Sequence, residues 1–309
     1  MSKNNNDIIC VGEALIDFIG DELATNLTQT KSFSKYVGGS PTNVAKNMAQ
    51  LGFNSTLIAT LGADSLGDFI TQQLNVANLN LQYLAYKKEL KTSLILVARS
   101  MGTPEFLPYR QADKYIEPDQ IPIALLKDSK IFHTTCFALS KNPAQNTILQ
   151  KAKEAFENDC QLSIDLNYAQ KIWEEVDVLP VLKTFCQYHP MVKLSNDDAF
   201  RIFHQNLSNQ QIFDYFHQLG AAIICLTKGK EGAYLSQKEQ KVIFQVAPIV
   251  ANVVDVTGAG DAFWSGFLAG YLKKQSLKDS LKMANNLVAK KIQHIGGLPK
   301  TLKIDDLLE

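Results

Sequence analysis

The sequence predicts an α/β fold, one domain spanning 1–309 in which a central, mainly parallel β-sheet lies between two layers of helices. Three observations predict it. Apolar strand-like runs alternate with helix-length segments along most of the chain, the pattern of parallel strands joined by helical crossovers. The 309 residues suffice to bury a large core. Hydrophobic residues at 46% and charged residues at 20% are globular values, so a packed domain rather than a disordered chain is expected.

The elements follow in order. Ile8, Ile9, Cys10 and Val11 form an apolar run that reads as a buried strand. Further strands are expected at 55–61, 130–134, 161–165, 191–194 and 222–227. The first helix is expected at 42–51. Pro41 suits its first position, Val44, Met48 and Leu51 recur at helical spacing, and Gly52 suits its C-terminal cap. Other helices are expected at 66–76, 143–157, 198–204, 209–219, 259–273 and 277–294, separated by polar turns. Two regions break this rhythm. Short strands are expected at 81–86, 92–99 and 105–109, with turn signals at Lys88-Glu89 and Gly102-Thr103-Pro104, and another strand-like stretch lies between Ile16 and Val37. These insertions, near 14–37 and 81–111, form either a small β-sheet lid or a meander on the sheet edge.

The charge balance excludes several functions. Lys plus Arg equals Asp plus Glu at 31 each, so no global field recruits nucleic acid or an anionic membrane. Cys10, Cys136, Cys160, Cys186 and Cys225 are odd in number, widely spaced and free of C-x-x-C pairs; buried reduced thiols are expected. The five histidines show no metal spacing. The polar start leads into an apolar run too short for a signal peptide, and no stretch approaches the roughly 20 apolar residues of a membrane span. A soluble, cytoplasmic protein is expected.

The most informative segment is Asp255, Val256, Thr257, Gly258, Ala259, Gly260 and Asp261, which runs into the apolar residues Ala262, Phe263 and Trp264. Glycines let a backbone approach a ligand closely, and the first N–H groups of a helix are unpaired and carry the positive end of its dipole. The segment therefore reads as an anion cradle for phosphate. A carboxylate at that corner is a poor phosphate ligand, and Asp261 is better explained as a proton acceptor beside a reacting phosphoryl group. A second glycine pair, Gly38 and Gly39, precedes the helix that carries Asn43, which offers a donor and an acceptor to a hydroxyl-rich ligand. Asp17, between Ile16 and Phe18, is either a satisfied turn residue or a sugar-binding carboxylate.

These segments resemble the ribokinase-like, phosphofructokinase-B-type carbohydrate kinases. The N-terminal signature is matched from Gly38 through Asn43, Ala45 and Gly52 to Gly62, and the C-terminal one from Asp255 through Gly258, Ala259, Gly260 and Asp261 to Leu268. Gly12, Glu13, Ala14, Leu15, Ile16, Asp17 and Phe18, and likewise Ser163 to Tyr168, look most like bacterial fructokinases. The resemblance covers essentially the whole chain. It implies a ribokinase-like three-layer fold with a β-sheet lid, a homodimer joined through that lid, and transfer of a phosphoryl group from ATP, with magnesium, to a small sugar.

Residue by residue, it implies Asp261 as the base, with the N–H groups of Gly258, Ala259 and Gly260 stabilising the transferring group. Asp17, Gly38, Gly39 and Asn43 would hold the sugar. Arg110, in a Tyr-Arg-x-Ala-Asp element ending at Asp113, would reach a hydroxyl or the transferred phosphate, and Asn167 sits just past a strand end. Thr227, Gly229 and Gly232 match the nucleotide-side T-x-G-x-x-G turn; Lys193, Ser195 and Asn286 complete that side. Two departures stand out. Ser195-Asn196-Asp197-Asp198 replaces the family's N-x-x-E, leaving Asp198 to orient magnesium through water, and Ala169 stands where fructokinases often have arginine. Asp255 has no use in holding phosphate; with Thr257 and carbonyls near 295–297 it can hold a monovalent cation, potassium, that orders the glycine turn.

The expected substrate is D-fructose. 2-Keto-3-deoxygluconate, another sugar or a nucleoside are alternatives within the same chemistry, and a non-catalytic sugar- or nucleotide-binding protein is the alternative outside it. A dinucleotide-dependent oxidoreductase is disfavoured because the third glycine of G-x-G-x-x-G is missing after Gly260. No G-x-x-x-x-G-K-[ST] supports a P-loop enzyme.

Overall fold

The computed structural model describes residues 6–23, 26–99, 105–174, 176–294 and 296–308. Its strands are β1 (Asn6–Val11), β2 (Leu15–Leu23), β3 (Phe33–Gly38), β4 (Ser55–Gly62), β5 (Leu84–Lys87), β6 (Leu94–Arg99), β7 (Phe106–Tyr109), β8 (Ser129–Thr135), β9 (Gln161–Asp165), β10 (Met191–Ser195), β11 (Ile223–Thr227), β12 (Gly232–Gln237) and β13 (Ile243–Val246). The α-helices are α1 (Ser40–Gln50), α2 (Ser65–Asn75), α3 (Ile123–Lys127), α4 (Ala144–Phe156), α5 (Gln170–Trp173), α6 (Leu179–Cys186), α7 (Asn196–Phe203), α8 (Asn209–Leu219), α9 (Ala259–Leu272) and α10 (Leu277–Lys291).

Nine strands form one sheet in the order β13-β12-β11-β10-β9-β8-β1-β4-β5. From β11 to β5 every pairing is parallel; β12 and β13 are added antiparallel. Alternation along β1 explains why the sheet is covered twice. Ile9 and Val11 join the core cluster that contains α4, α6 and α8, while Ile8 and Cys10 join the one that contains α1, α9 and α10. All five cysteines are buried and free.

A second, four-stranded sheet, β3-β2-β6-β7, is separate from the first. One segment expected with it went elsewhere. The strand read at 81–86 forms as β5 and pairs with β4, closing the edge of the large sheet. Both partners are apolar at the contact: Leu84 is buried and pairs with Ala59, so edge burial decides its sheet. The turn signal at 102–104 lies outside the described residues. The strands β12 and β13 were not anticipated, because their segments alternate weakly and are interrupted by glycine and charged residues. Gly232 permits their pairing, since a Cβ there would stand 2.2 Å from the Gln245 carbonyl oxygen.

The parallel arrangement decides where function can sit. Because β1, β9, β10 and β11 run the same way, the residues at or just past their carboxyl ends (Glu13, Asn167, Ser195 and Thr227 among them) gather along one edge of the sheet. The small sheet departs from that edge, since β2 follows β1 after three residues and β3 leads straight into α1.

Candidate active site

The helix α9 begins at this edge. Gly258 is its N-cap in the left-handed region at φ 72°, no side chain caps the helix, and the Ala259 N–H turns back to the Val256 carbonyl at 3.0 Å. Asp261 lies in the first turn and is buried. Its Oδ1 accepts from Ser40 Oγ at 2.6 Å and its Oδ2 from Asn43 Nδ2 at 2.8 Å, both on the first turn of α1. Burial holds the Asp261 carboxyl above the usual carboxylate range, while Ser40, Asn43, Lys193 and Lys291 act in the opposite sense. A basic, oriented carboxylate at a helix N-terminus results.

Asp17 reaches the same corner from β2. A Cβ on Gly38 would stand 2.1 Å from its Oδ2, so only glycine lets β3 pass over this side chain. Among the described residues none donates a hydrogen bond to the Asp17 carboxylate, and burial together with the nearby Asp261 charge pushes its pKa up to about 7. Gly39 has φ 103°, and its peptide leads to the Ser40 N–H, which donates to Glu13 Oε1 at 3.0 Å. Burial pushes Glu13 up to about 8; its Oε2 accepts from Thr135 Oγ1. Glu13 and Ser40 thus tie the end of β1 to the start of α1, and the sequence reading gave neither a role. Both lie inside quoted motifs, but nothing local shows which donor a buried acid will meet.

Lys193 projects from β10 to the glycine turn: a Cβ on Gly260 would lie 3.0 Å from its Nζ. The ammonium donates to both oxygens of Asp165 at 2.9 Å. Burial alone would lower its pKa, but the Asp165, Asp198 and Asp261 carboxylates hold it above the ordinary lysine value, so it stays charged. Asn167 is exposed past the end of β9, with φ 31° and its N–H on Asp165 Oδ1. Thr227 ends β11, and a Cβ on the exposed Gly229 would meet nothing within 4 Å, so that turn is open to a ligand.

Other expected site residues are turned to structural work. Arg110 donates to Asp113 Oδ2 from two nitrogens, at 2.8 and 2.6 Å, to Ser140 Oγ at 2.5 Å and to the Phe137 carbonyl, and it lies over the Phe137 ring. Its guanidinium is consumed by the acid three residues on, a partner present in the very motif that suggested ligand contact. Asp198 Oδ2 accepts from Ser195 N and Ser195 Oγ, both at 2.7 Å, and Oδ1 from Tyr168 N at 2.9 Å. Ser195 and Asp198 therefore form the capping box of α7, which occupies the carboxylate. Asn286 donates to the Leu307 carbonyl in the C-terminal turn; its neighbour Asn285 faces β13, bonding Gln245 and Val246 carbonyls. Gly232 serves the β12–β13 pairing described above.

The expected potassium does not fit. Asp255 Oδ1 accepts from Thr257 N at 2.9 Å, but its carbonyl and Oδ2 each face Lys291 Nζ at 3.3 Å. The ammonium stands where the ion was expected. A second unit charge about 4 Å away would be repelled by about 4 kcal/mol at an effective dielectric near 20. Of the carbonyls expected at 295–297, that of residue 295 lies outside the described residues.

Comparisons with known proteins bear on the family and the fold. The family model described as pfkB family carbohydrate kinase matches residues 5–303. An ATP-dependent 6-phosphofructokinase of Thermoanaerobacterium thermosaccharolyticum is 34% identical over 97% of this chain and 92% of its own. The structure of a Halothermothrix orenii fructokinase is 34% identical, with TM-score 0.79, 90% of this chain and 97% of that one covered. A sugar kinase from Pyrococcus horikoshii in complex with ATP is 27% identical, with TM-score 0.85 and 97% of each chain covered.

Proposed function

The chain belongs to the pfkB family of carbohydrate kinases, and on that premise we propose that it transfers the γ-phosphate of ATP to a primary hydroxyl of D-fructose. The observation that carries the acceptor class is the Asp17 carboxylate, which has no donor among the described residues and faces the buried Asp261. An unpartnered acid in a half-buried corner is satisfied by the hydroxyls of a polyol. The two carboxylates oppose a phosphorylated or carboxylated acceptor, and Arg110, the cation that such an acceptor would want, is committed to Asp113. A neutral ketohexose fits this charge best.

The steps follow from positions. Asp261 accepts the proton of the attacking hydroxyl, oriented by Ser40 and Asn43. The N–H groups of Gly258 and Gly260 and the Lys193 ammonium stabilise charge on the transferring group, while the Ala259 N–H, bonded to the Val256 carbonyl, holds the turn in shape. Thr227 and Gly229 line the nucleotide side, and Asn167 faces the sugar. Magnesium enters with the ATP phosphates as part of the substrate. Asp198 acts at a distance, fixing Ser195 at the end of β10. The four-stranded sheet serves as a lid that excludes water and as the face through which two copies pair, which favours transfer to the sugar over hydrolysis. No described helix is long and apolar enough to cross a membrane, and a cytoplasmic enzyme is the matching proposal.

A phosphorylated acceptor is the second reading, favoured by the 34% identity to a 6-phosphofructokinase. ADP release with MgATP and equal concentrations of fructose, fructose 6-phosphate and 2-keto-3-deoxygluconate decides between them. Fructose should give the highest kcat/KM. A tenfold preference for either anionic acceptor, on the order of the charge effects invoked, would overturn the fructose assignment and leave the kinase class standing. ADP release with none of them, nor with other sugars and nucleosides, favours a binding protein.

A further inference from the structure

Lys291 ends α10 and is 4% exposed, an unusual burial for a lysine outside the Lys193–Asp165 pair. Its Nζ lies 3.3 Å from the Asp255 carbonyl oxygen, 3.3 Å from Asp255 Oδ2 and 3.5 Å from the His294 carbonyl oxygen. Two carbonyls and a carboxylate converging on one positive charge form the oxygen set that a monovalent cation requires. Its stem runs beneath the glycine turn, with Cε 3.9 Å from where a Gly258 Cβ would be. The same turn is fastened to the end of α10 by Val254 and Asp255 N–H groups on the Ile292 carbonyl, at 2.8 and 3.2 Å.

We propose that Lys291 is a built-in monovalent cation: its tethered ammonium orders the 254–258 turn, so that catalysis by this chain does not depend on added potassium. Lys291 is a positioning residue, since it touches the turn and not the reacting atoms. Its charge also reaches the catalytic corner, where it favours the ionised form of Asp261. Burial would raise Asp255, but the Thr257 hydrogen bonds and Lys291 hold it below the usual carboxylate range, so a carboxylate faces the ammonium. A tethered ammonium is present at unit occupancy whatever the salt, whereas a free ion must be bound from solution.

The inference rests on the kinase reading for its activity arm and on the structure alone for its binding arm. In the first arm, MgATP- and sugar-dependent ADP release is compared in potassium chloride and in tetramethylammonium chloride at matched ionic strength. The wild type should run at equal rates in both. Lys291→Met should lose about tenfold or more in tetramethylammonium, the scale of a 1.4 kcal/mol effect, and recover in potassium or ammonium. Its acid limb should also move to higher pH, which a purely structural loss would not produce. In the second arm, melting temperature is followed without substrates. Potassium should stabilise Lys291→Met over tetramethylammonium and leave the wild type unchanged. Lys291→Arg, which keeps a charge, covers the case in which the methionine variant fails to fold: it should fold and remain indifferent to potassium. A wild type that is activated or stabilised several-fold by potassium, or a Lys291→Met enzyme with full activity in tetramethylammonium, overturns the proposal. Absence of any kinase activity would instead count against the kinase reading and leave the melting arm to decide.

Discussion

Replacing Asp17 by asparagine removes a carboxyl group that the ligand-free fold holds at a cost. Burial and the neighbouring Asp261 push Asp17 from 3.8 to about 7. The folded chain therefore binds this proton more tightly than the unfolded chain between pH of about 4 and 7. Stability falls as pH rises through that window, and the full cost stands above about pH 7. At about 1.4 kcal/mol per tenfold change in proton affinity, the cost is up to about 4 kcal/mol. Glu13 and Asp165, pushed up to about 8 and about 7, titrate in the same region. The wild-type profile is therefore composite, and the difference between wild type and variant isolates Asp17. Urea unfolding of both proteins at pH 4.5 and 8, without ligands, is the assay. Asp17→Asn should gain about 2–4 kcal/mol on the wild type between the two pH values. The same variant should raise the KM for the sugar by about 10- to 150-fold, the loss of one charge-assisted hydrogen bond, with the KM for ATP unchanged. An equal stability difference at both pH values would refute the electrostatic reasoning. An unchanged sugar KM would refute the acceptor site.

Three further outcomes are expected. Asp261→Asn should lower kcat by about 10²–10⁴ while ATP still binds, because the amide can face Ser40 and Asn43 but cannot take a proton; more than about a tenth of wild-type kcat would sink the base assignment. Lys193→Met should cost about 3–5 kcal/mol in urea unfolding by leaving Asp165 buried without its partner, and adding Asp165→Asn should restore part of it; a loss under about 1 kcal/mol would show the pair to be unimportant for the fold. Gly38→Ala places a Cβ 2.1 Å from Asp17 Oδ2 and must swing that carboxylate aside, so sugar kcat/KM should fall about 10²-fold with the lid still folded; unaltered sugar kinetics would show that Asp17 does not contact the acceptor.

What the sequence determined by itself is what local interactions encode. The helix read at 209–219 matches α8 end to end, and the strand at 161–165 matches β9, because hydrophobic periodicity and flanking turns are written within a few residues. The glycine turn and Asp261 at the start of α9 were legible for the same reason: an N-terminal corner is a local object. Contacts between distant segments were settled only by the tertiary structure. Ser40 meets Asp261 across 221 residues, and Lys291 meets Asp255 across 36; a lysine in the last turn of a helix reads locally as a partner of the dipole and nothing more. The edge pairing of β5 and the capping box that absorbs Asp198 were decided in the same way, by which donors and apolar faces the folded chain brought within reach. An ionisable side chain is satisfied by whichever partner the fold delivers. Sequence therefore names the acids and bases of this site, and the packing of the sheet edge against α1, α9 and α10 assigns their work.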